Sequence, residues 1–206
     1  MRTRLYSTYG ATLVSLLGAG AALACPVASD LEAGGIRFTT TDGSAEIQRR
    51  LDEHRIEVDF VIPNDPIVSR SITIHGTYLA WYGTILENGA LERGSAGWVT
   101  RPMDLAEIPE PVAGEAWSTM QTFFDDAGGK VEERLIASIG ARTTWNLGAC
   151  SYEAVPVSIT ISTEDDTYTE QVMYIPALRT GVLTGYSDSS GSGSYDYVDI
   201  AVEPVR

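Results

Sequence analysis

Apolar and polar residues alternate along many short segments of this chain, and that period of two constrains its fold more than any other feature. In one run, Val155, Val157, Ile159 and Ile161 alternate with smaller or polar residues. Similar alternation marks residues 36–41 and 55–62. Such alternation is typical of strands with one face on a core. We therefore predict a mainly β protein of eight or more antiparallel strands, forming a curved sheet or a barrel-like meander.

Two Asx-Gly pairs predict tight hairpins between these strands. Asp42-Gly43 and Asn88-Gly89 are the residue pairs that two-residue hairpin turns favour. Counting outward from a two-residue turn places Phe38 opposite Ile47 in the first hairpin and Leu86 opposite Leu91 in the second. At Pro156 the backbone has no N–H for a neighbouring strand, so we expect an edge or a bulge there.

One segment predicts a helix rather than a strand. Within residues 113–128, Trp117, Met120 and Phe124 follow one another at i, i+3 and i+7 and form an apolar stripe that ends at a Gly-Gly pair. Residues 78–82 are apolar on both faces and need a cover. We expect this one main helix to pack on the sheet there.

Length and repetition bear on the domain organisation. Residues 25–206 are long enough for a single β-rich domain with its own core. Residues 78–86 faintly echo residues 174–183, so two similar halves around the helix are a possible duplication. The Ser/Gly-rich residues 187–194 predict a flexible exposed loop.

The first 24 residues have the three parts of a cleavable signal peptide. Arg2 and Arg4 precede an apolar run over residues 11–21, and Ala22-Leu23-Ala24 places small residues at the cleavage positions. The apolar run is shorter than the roughly 20 residues of a membrane-spanning helix. The pattern predicts a periplasmic or secreted protein with no transmembrane segment after cleavage.

The chain has two cysteines, Cys25 and Cys150, and outside the cytoplasm they are expected to form one disulfide bond. The alternative is that Cys25 becomes the lipid-modified first residue of an anchored lipoprotein. That alternative would leave Cys150 unpaired. The residue three before Cys25 is Ala22, where a branched aliphatic residue is the usual one in lipoprotein signals.

The net charge of the chain limits the classes of partner that we expect. The chain has a formal net charge of -14, and removal of two arginines with the signal takes it to -16. Nucleic acid needs positive charge on the protein, so it is an improbable partner. Anionic membrane surfaces are disfavoured for the same reason.

The residue types for catalysis or metal binding are sparse. The two histidines, His54 and His75, fit no metal-binding spacing, and no nucleophile elbow is present. We therefore expect no cofactor and no metal.

Residues 36–50, 145–157 and 169–183 carry a resemblance. In these short patches (IRFTTTDGSAEIQRR, WNLGACSYEAVPV and TEQVMYIPALRTGVL) the chain resembles small uncharacterised exported β-rich proteins of alpha-proteobacteria. The resemblance implies export and a β-rich fold, and it transfers no catalytic or binding residue.

Two classes of function remain open at this point. The first is a non-enzymatic binding or interaction domain whose partner is a small apolar molecule or an envelope protein. Its candidate apolar surface lies where the helix crosses the sheet and comprises Tyr78, Trp81, Tyr82, Trp117, Met120 and Phe124. The same aromatic residues would also serve as ordinary core. The second class is a hydrolase with dispersed catalytic residues.

Overall fold

The computed structural model describes residues 24–205. It has fourteen β-strands and is 57% strand. The predicted signal peptide lies outside the described residues except for Ala24. The strands are β1 (Ile36–Thr40), β2 (Ala45–Arg50), β3 (Arg55–Val61), β4 (Val68–Ile74), β5 (Tyr78–Ile85), β6 (Gly97–Thr100), β7 (Ala116–Asp125), β8 (Lys130–Ile139), β9 (Thr143–Leu147), β10 (Cys150–Ser162), β11 (Thr167–Ile175), β12 (Thr180–Asp188), β13 (Gly191–Ser194) and β14 (Tyr197–Val202). A single helical turn, α1 (Asp30–Ala33), precedes them, and a 3-10 turn covers Leu105–Glu107.

The strands form one antiparallel sheet that follows the chain order almost throughout. The order is β13-β12-β11-β10-β8-β7-β6-β5-β4-β3-β2-β1-β14, with β9 paired to β10 beside it. The last strand returns to pair with the first, and the sheet is not closed. The prediction of a mainly β, antiparallel meander is confirmed at this level.

The prediction of one main helix over residues 113–128 is wrong, because this segment forms strand β7. It pairs with β8 along nearly its whole length, from Ala116 opposite Ser138 to Phe124 opposite Lys130, and with the short β6 on its other edge. The aromatic stripe was misleading because a few large apolar residues in a short segment fit both the helical period of about 3.6 residues and the strand period of about two. Its Thr and Phe residues favour strand, and two neighbouring strands supply the backbone partners.

A bulge bends the sheet beside Pro156. Strands β8 and β9 both pair with β10, with Ile139 opposite Val157 and Thr143 opposite Ala154. Residues 140–142 therefore face only residues 155 and 156, which is a β-bulge. The Gly140 N–H donates to the Pro156 carbonyl at 2.8 Å. Of the two alternatives expected for Pro156, the structure has the bulge.

Both predicted Asx-Gly hairpins form, but each register differs by one residue. In the first, the Thr40 N–H donates to Ser44 O, Gly43 has a φ of 84°, and Phe38 lies opposite Glu46 instead of Ile47. In the second, the Leu86 N–H donates to Ala90 O, so Leu91 lies opposite Ile85 instead of Leu86. Three-residue loops with a left-handed glycine replace the two-residue turns.

Two further turns depart from the predictions. The sequence pattern also predicts one strand over residues 71–86, but this segment contains the hairpin between β4 and β5, where His75 and Gly76 both have positive φ. Residues 187–194, expected as a flexible loop, contain the β12–β13 hairpin, with Asp188 opposite Gly191.

Side-chain contacts show that the long sheet folds over on itself. Strands β2 and β12 lie near opposite ends of the strand order, yet the Gln48 amide donates to Gly181 O at 2.7 Å and accepts from the Thr180 hydroxyl. At the tip of the β9–β10 hairpin, the Gly148 N–H donates to Val198 O of β14. Two buried clusters fill the space between the facing layers, and each draws on strands from both halves of the chain.

Candidate functional site

A cavity of about 290 Å³, half open to solvent, lies between strands β5 to β8 and strands β10 and β11. We call it the Arg101 cavity. Its apolar wall is formed by Leu79, Val99, Phe123, Leu135, Ile159 and Ile161. Alternation on β7, β8 and β10 places these side chains on the inner face. The polar wall groups include Arg101, Gln121, Glu133 and Glu170.

A second cavity of about 470 Å³ lies between strands β2 to β5 and strands β11 and β12. We call it the Glu46 cavity. Phe60 and Tyr195, whose rings meet edge to face at 5.4 Å, form part of its wall, with Leu183. Its volume falls within the range typical of small-molecule sites, roughly 300 to 1,000 Å³.

The two cavities adjoin, because Leu79 and Glu170 belong to the walls of both. The Tyr168 hydroxyl donates to Glu170 Oε1 at 3.1 Å. Burial raises the pKa of Glu170 and so favours its neutral form there. Apolar side chains with a few converging polar groups are the usual composition of a ligand site.

Glu46 is a buried carboxyl group at one end of its cavity. It accepts hydrogen bonds from the Tyr197 hydroxyl at 2.7 Å, the Gln48 amide at 3.0 Å and the Leu183 N–H at 3.3 Å. Burial nevertheless raises its pKa to about 7, because the cost of removing the charge from water exceeds the gain from these bonds. This carboxyl group links β2, β12 and β14.

Arg101 is a mostly buried cation that Glu133 attracts through space without a direct ion pair. Its Nη2 donates to Leu79 O at 2.9 Å, while Nε has no hydrogen-bond partner. Among the described residues, it takes part in no ion pair within 4.0 Å. Burial lowers its pKa to about 10.

The six predicted surface residues divide between the two faces of the sheet. Tyr78 and Trp117 pack edge to face, and the Trp117 Nε1–H donates to the Tyr78 hydroxyl at 2.8 Å. Tyr78 lines the Arg101 cavity, and Tyr82 lines the Glu46 cavity. Burial raises the pKa of Tyr78 to about 12.

The other three predicted residues lie on the outer face. Trp81 pairs with Trp98, whose ring stacks on Phe124 at 5.6 Å. Met120 is exposed. The structure therefore divides the predicted surface between the two faces of the sheet, and of its six residues only Tyr78 and Tyr82 line either of the two cavities.

The rings of the two histidines, His54 and His75, pack edge to face with their centroids 5.6 Å apart. His75 Nε2 lies 3.0 Å from Ile108 O, and Nδ1 lies 3.8 Å from Glu110, which pairs with Arg179. Within residues 24–205, the hydrogen bonds of these rings include no serine or threonine hydroxyl. Neither histidine is among the residues that line the two cavities.

Sequence reasoning missed Arg101, Gln121 and Glu46. Arg101 follows the four-residue β6, which no alternation marks. Gln121 lies within residues 113–128, which the sequence predicts as a helix, and the predicted pairing of Phe38 with Ile47 places Glu46 on the other face of its strand. The only available signal for Arg101 was a lone cation beside apolar strand residues.

Comparison with protein-family models, curated proteins and solved structures finds no match to the chain. Within the described residues, no cluster of three or more His, Cys, Asp or Glu side chains could hold a metal ion. Residues 24–205 also contain no helix of the length and apolarity needed to cross a membrane.

Proposed function

We propose that this protein is an exported, non-enzymatic binding protein that holds a small apolar or amphipathic molecule between the two layers of its folded sheet. The observation that carries the proposal is the pair of adjoining cavities, which share Leu79 and Glu170 in their walls. Ordinary protein interiors are packed to crystal-like density with few voids larger than a water molecule. These two spaces are larger than such voids and half open to solvent, and their apolar walls with a few polar groups have the usual composition of a ligand site.

The disulfide supports the exported location. Cys25 and Cys150 are bonded, and such bonds persist mainly in oxidising compartments. A sulfur atom in a disulfide cannot also carry the thioether-linked lipid of a lipoprotein. The bond therefore favours a periplasmic or secreted protein over the anchored alternative.

The test is binding of an uncharged fluorescent probe, N-phenyl-1-naphthylamine, to the wild type and to two matched variants. Leu79→Trp should fill the space beside the wall that the two cavities share. It should weaken probe binding at least about tenfold, because the added ring occupies volume that the probe needs. Leu91→Trp makes the same substitution at an exposed position outside both cavities and should leave the affinity unchanged.

Thermal melting checks that both variants are folded. No probe binding to the wild type, or equal affinities in all three proteins, would contradict the proposal. A co-purified apolar molecule, seen by native mass spectrometry of the wild type and lost in Leu79→Trp alone, would support it independently.

A further inference from the structure

The guanidinium group of Arg101 identifies a chemical requirement of the cavity that it lines. A buried cation is costly unless a carboxylate or another anion compensates it. Most of the other arginines of the sheet meet this rule: Arg70 and Arg49, for example, share Asp59 and Glu57 at distances of 2.6 to 3.6 Å. Among the described residues, Arg101 has no such ion pair, and its hydrogen bond is to the Leu79 carbonyl.

The charge of Glu133, the acid nearest in the strand register, acts on Arg101 without forming an ion pair with it. Val99 pairs with Phe123 and Gln121 pairs with Glu133, so Gln121 lies between Arg101 and Glu133 on the inner face. The Gln121 amide donates to Glu133 Oε2 at 2.8 Å. Gln121 is only 3% exposed, and its Oε1 has no donor within the described residues. Two neighbouring wall residues therefore each have an unpartnered polar atom.

The remaining acids of this cavity belong to the opposite layer. Glu170 is bonded to Tyr168 on β11, and Asp166 lies in the exposed turn before β11. Between them and Arg101 the walls are apolar, with Phe123, Leu135 and Ile159 among the lining residues. A cation at one end of an apolar cavity is complementary to an amphiphile with one charged end.

We propose that the Arg101 cavity binds the carboxylate of a single-chain fatty acid, with the Arg101 guanidinium as its anchor and the alkyl chain directed past Leu79 into the Glu46 cavity. This inference rests on the proposed function and names its ligand class. The carboxylate supplies a directly bonded countercharge, which Glu133 does not, and charge-assisted bonds to guanidinium are among the stronger hydrogen bonds of proteins. The shared wall at Leu79 and Glu170 provides the continuity that the chain needs.

The experiment compares dodecanoic acid with dodecanol as competitors of the naphthylamine probe at about pH 8, where a carboxylic acid is ionised. The proteins are the wild type, Arg101→Met and the control Arg93→Met, which removes an exposed arginine. For the wild type and Arg93→Met, dodecanoate should bind more tightly than dodecanol. In Arg101→Met, the affinity for dodecanoate should fall about 10- to 100-fold while that for dodecanol stays within about twofold.

A second readout separates a ligand anchor from a structural arginine. Because Arg101 is mostly buried and forms no ion pair among the described residues, Arg101→Met should melt at the same or a higher temperature than the wild type without ligand. A lower melting temperature, with both ligands weakened equally, would assign Arg101 a structural role and overturn the inference.

The remaining outcomes distinguish this inference from the proposed function. If dodecanoate and dodecanol bind equally and Arg101→Met changes neither, the fatty-acid assignment fails while the apolar site stands. Tighter binding of dodecyltrimethylammonium than of dodecanoate would also overturn the assignment. If the wild type binds neither the probe nor any competitor, the proposed function itself fails.

Discussion

Replacement of both cysteines by serine should lower the free energy of unfolding by about 4 kcal/mol. The bond joins Cys25 to Cys150, 125 residues apart, with Cα atoms 5.6 Å apart. In the chain-entropy model, a crosslink that closes a loop of about 100 residues contributes roughly 4 to 5 kcal/mol, because it removes conformations from the unfolded chain. Urea unfolding of the wild type and of the double Ser variant measures the difference.

The structure also indicates which region loosens first in the double Ser variant. The segment after Cys25 is held by the Tyr152 hydroxyl, which donates to Pro26 O at 2.9 Å, and by Leu31 of α1, which is buried in the core. Hydrogen exchange should therefore rise most at residues 25–35. Wild type with reductant should match the double variant. A loss below about 1 kcal/mol would mean that these contacts alone hold the N-terminal segment.

Replacement of Glu46 by Gln should remove a pH dependence of stability on the order of 3 kcal/mol. Burial raises the pKa of Glu46 from 4.5 to about 7, so between these values the folded protein binds more protons than the unfolded chain. Stability from this group is therefore complete below about pH 4.5 and is lost as the pH rises to about 7. Above about pH 7, the folded protein holds the charged Glu46 carboxylate away from water, which lowers its stability.

The measurement is the free energy of unfolding from about pH 4.5 to 8 for the wild type, Glu46→Gln and the control Glu164→Gln. Glu164 is exposed in the turn before β11, so its substitution should leave the curve of the wild type unchanged. Relative to the wild type, Glu46→Gln should gain stability as the pH rises. Parallel curves for these two proteins would show that Glu46 does not titrate in this range.

The course of the strands could be predicted from the sequence because each strand repeats its pattern locally. Strands β1 and β3, at Ile36–Thr40 and Arg55–Val61, lie where the alternation over residues 36–41 and 55–62 predicts them. Their neighbours in the sheet are mostly their neighbours in the chain, so no long-range information is needed. The disulfide could also be predicted from the sequence, because two cysteines in an oxidising compartment allow one intramolecular pairing.

The candidate site could not be predicted in the same way, because one residue of register decides which side chains point inward. A three-residue loop at Thr41–Gly43, in place of a two-residue turn, brings Glu46 to the face of Phe38. A shift of one residue exchanges the two faces of a strand. The local sequence fits both loops, and the choice between them depends on what the rest of the fold buries.

The sequence by itself determined a β meander with a disulfide, because both follow from local periodicity and residue type. Only the tertiary structure decided that residues 116–125 are a strand, since its neighbours β6 and β8 supply the hydrogen bonds that a helix would have made internally. It also decided where Arg101 lies. The contact of β2 with β12 brings the two layers together, and Arg101 comes to line a cavity, without an ion pair among the described residues, only because distant strands meet around it.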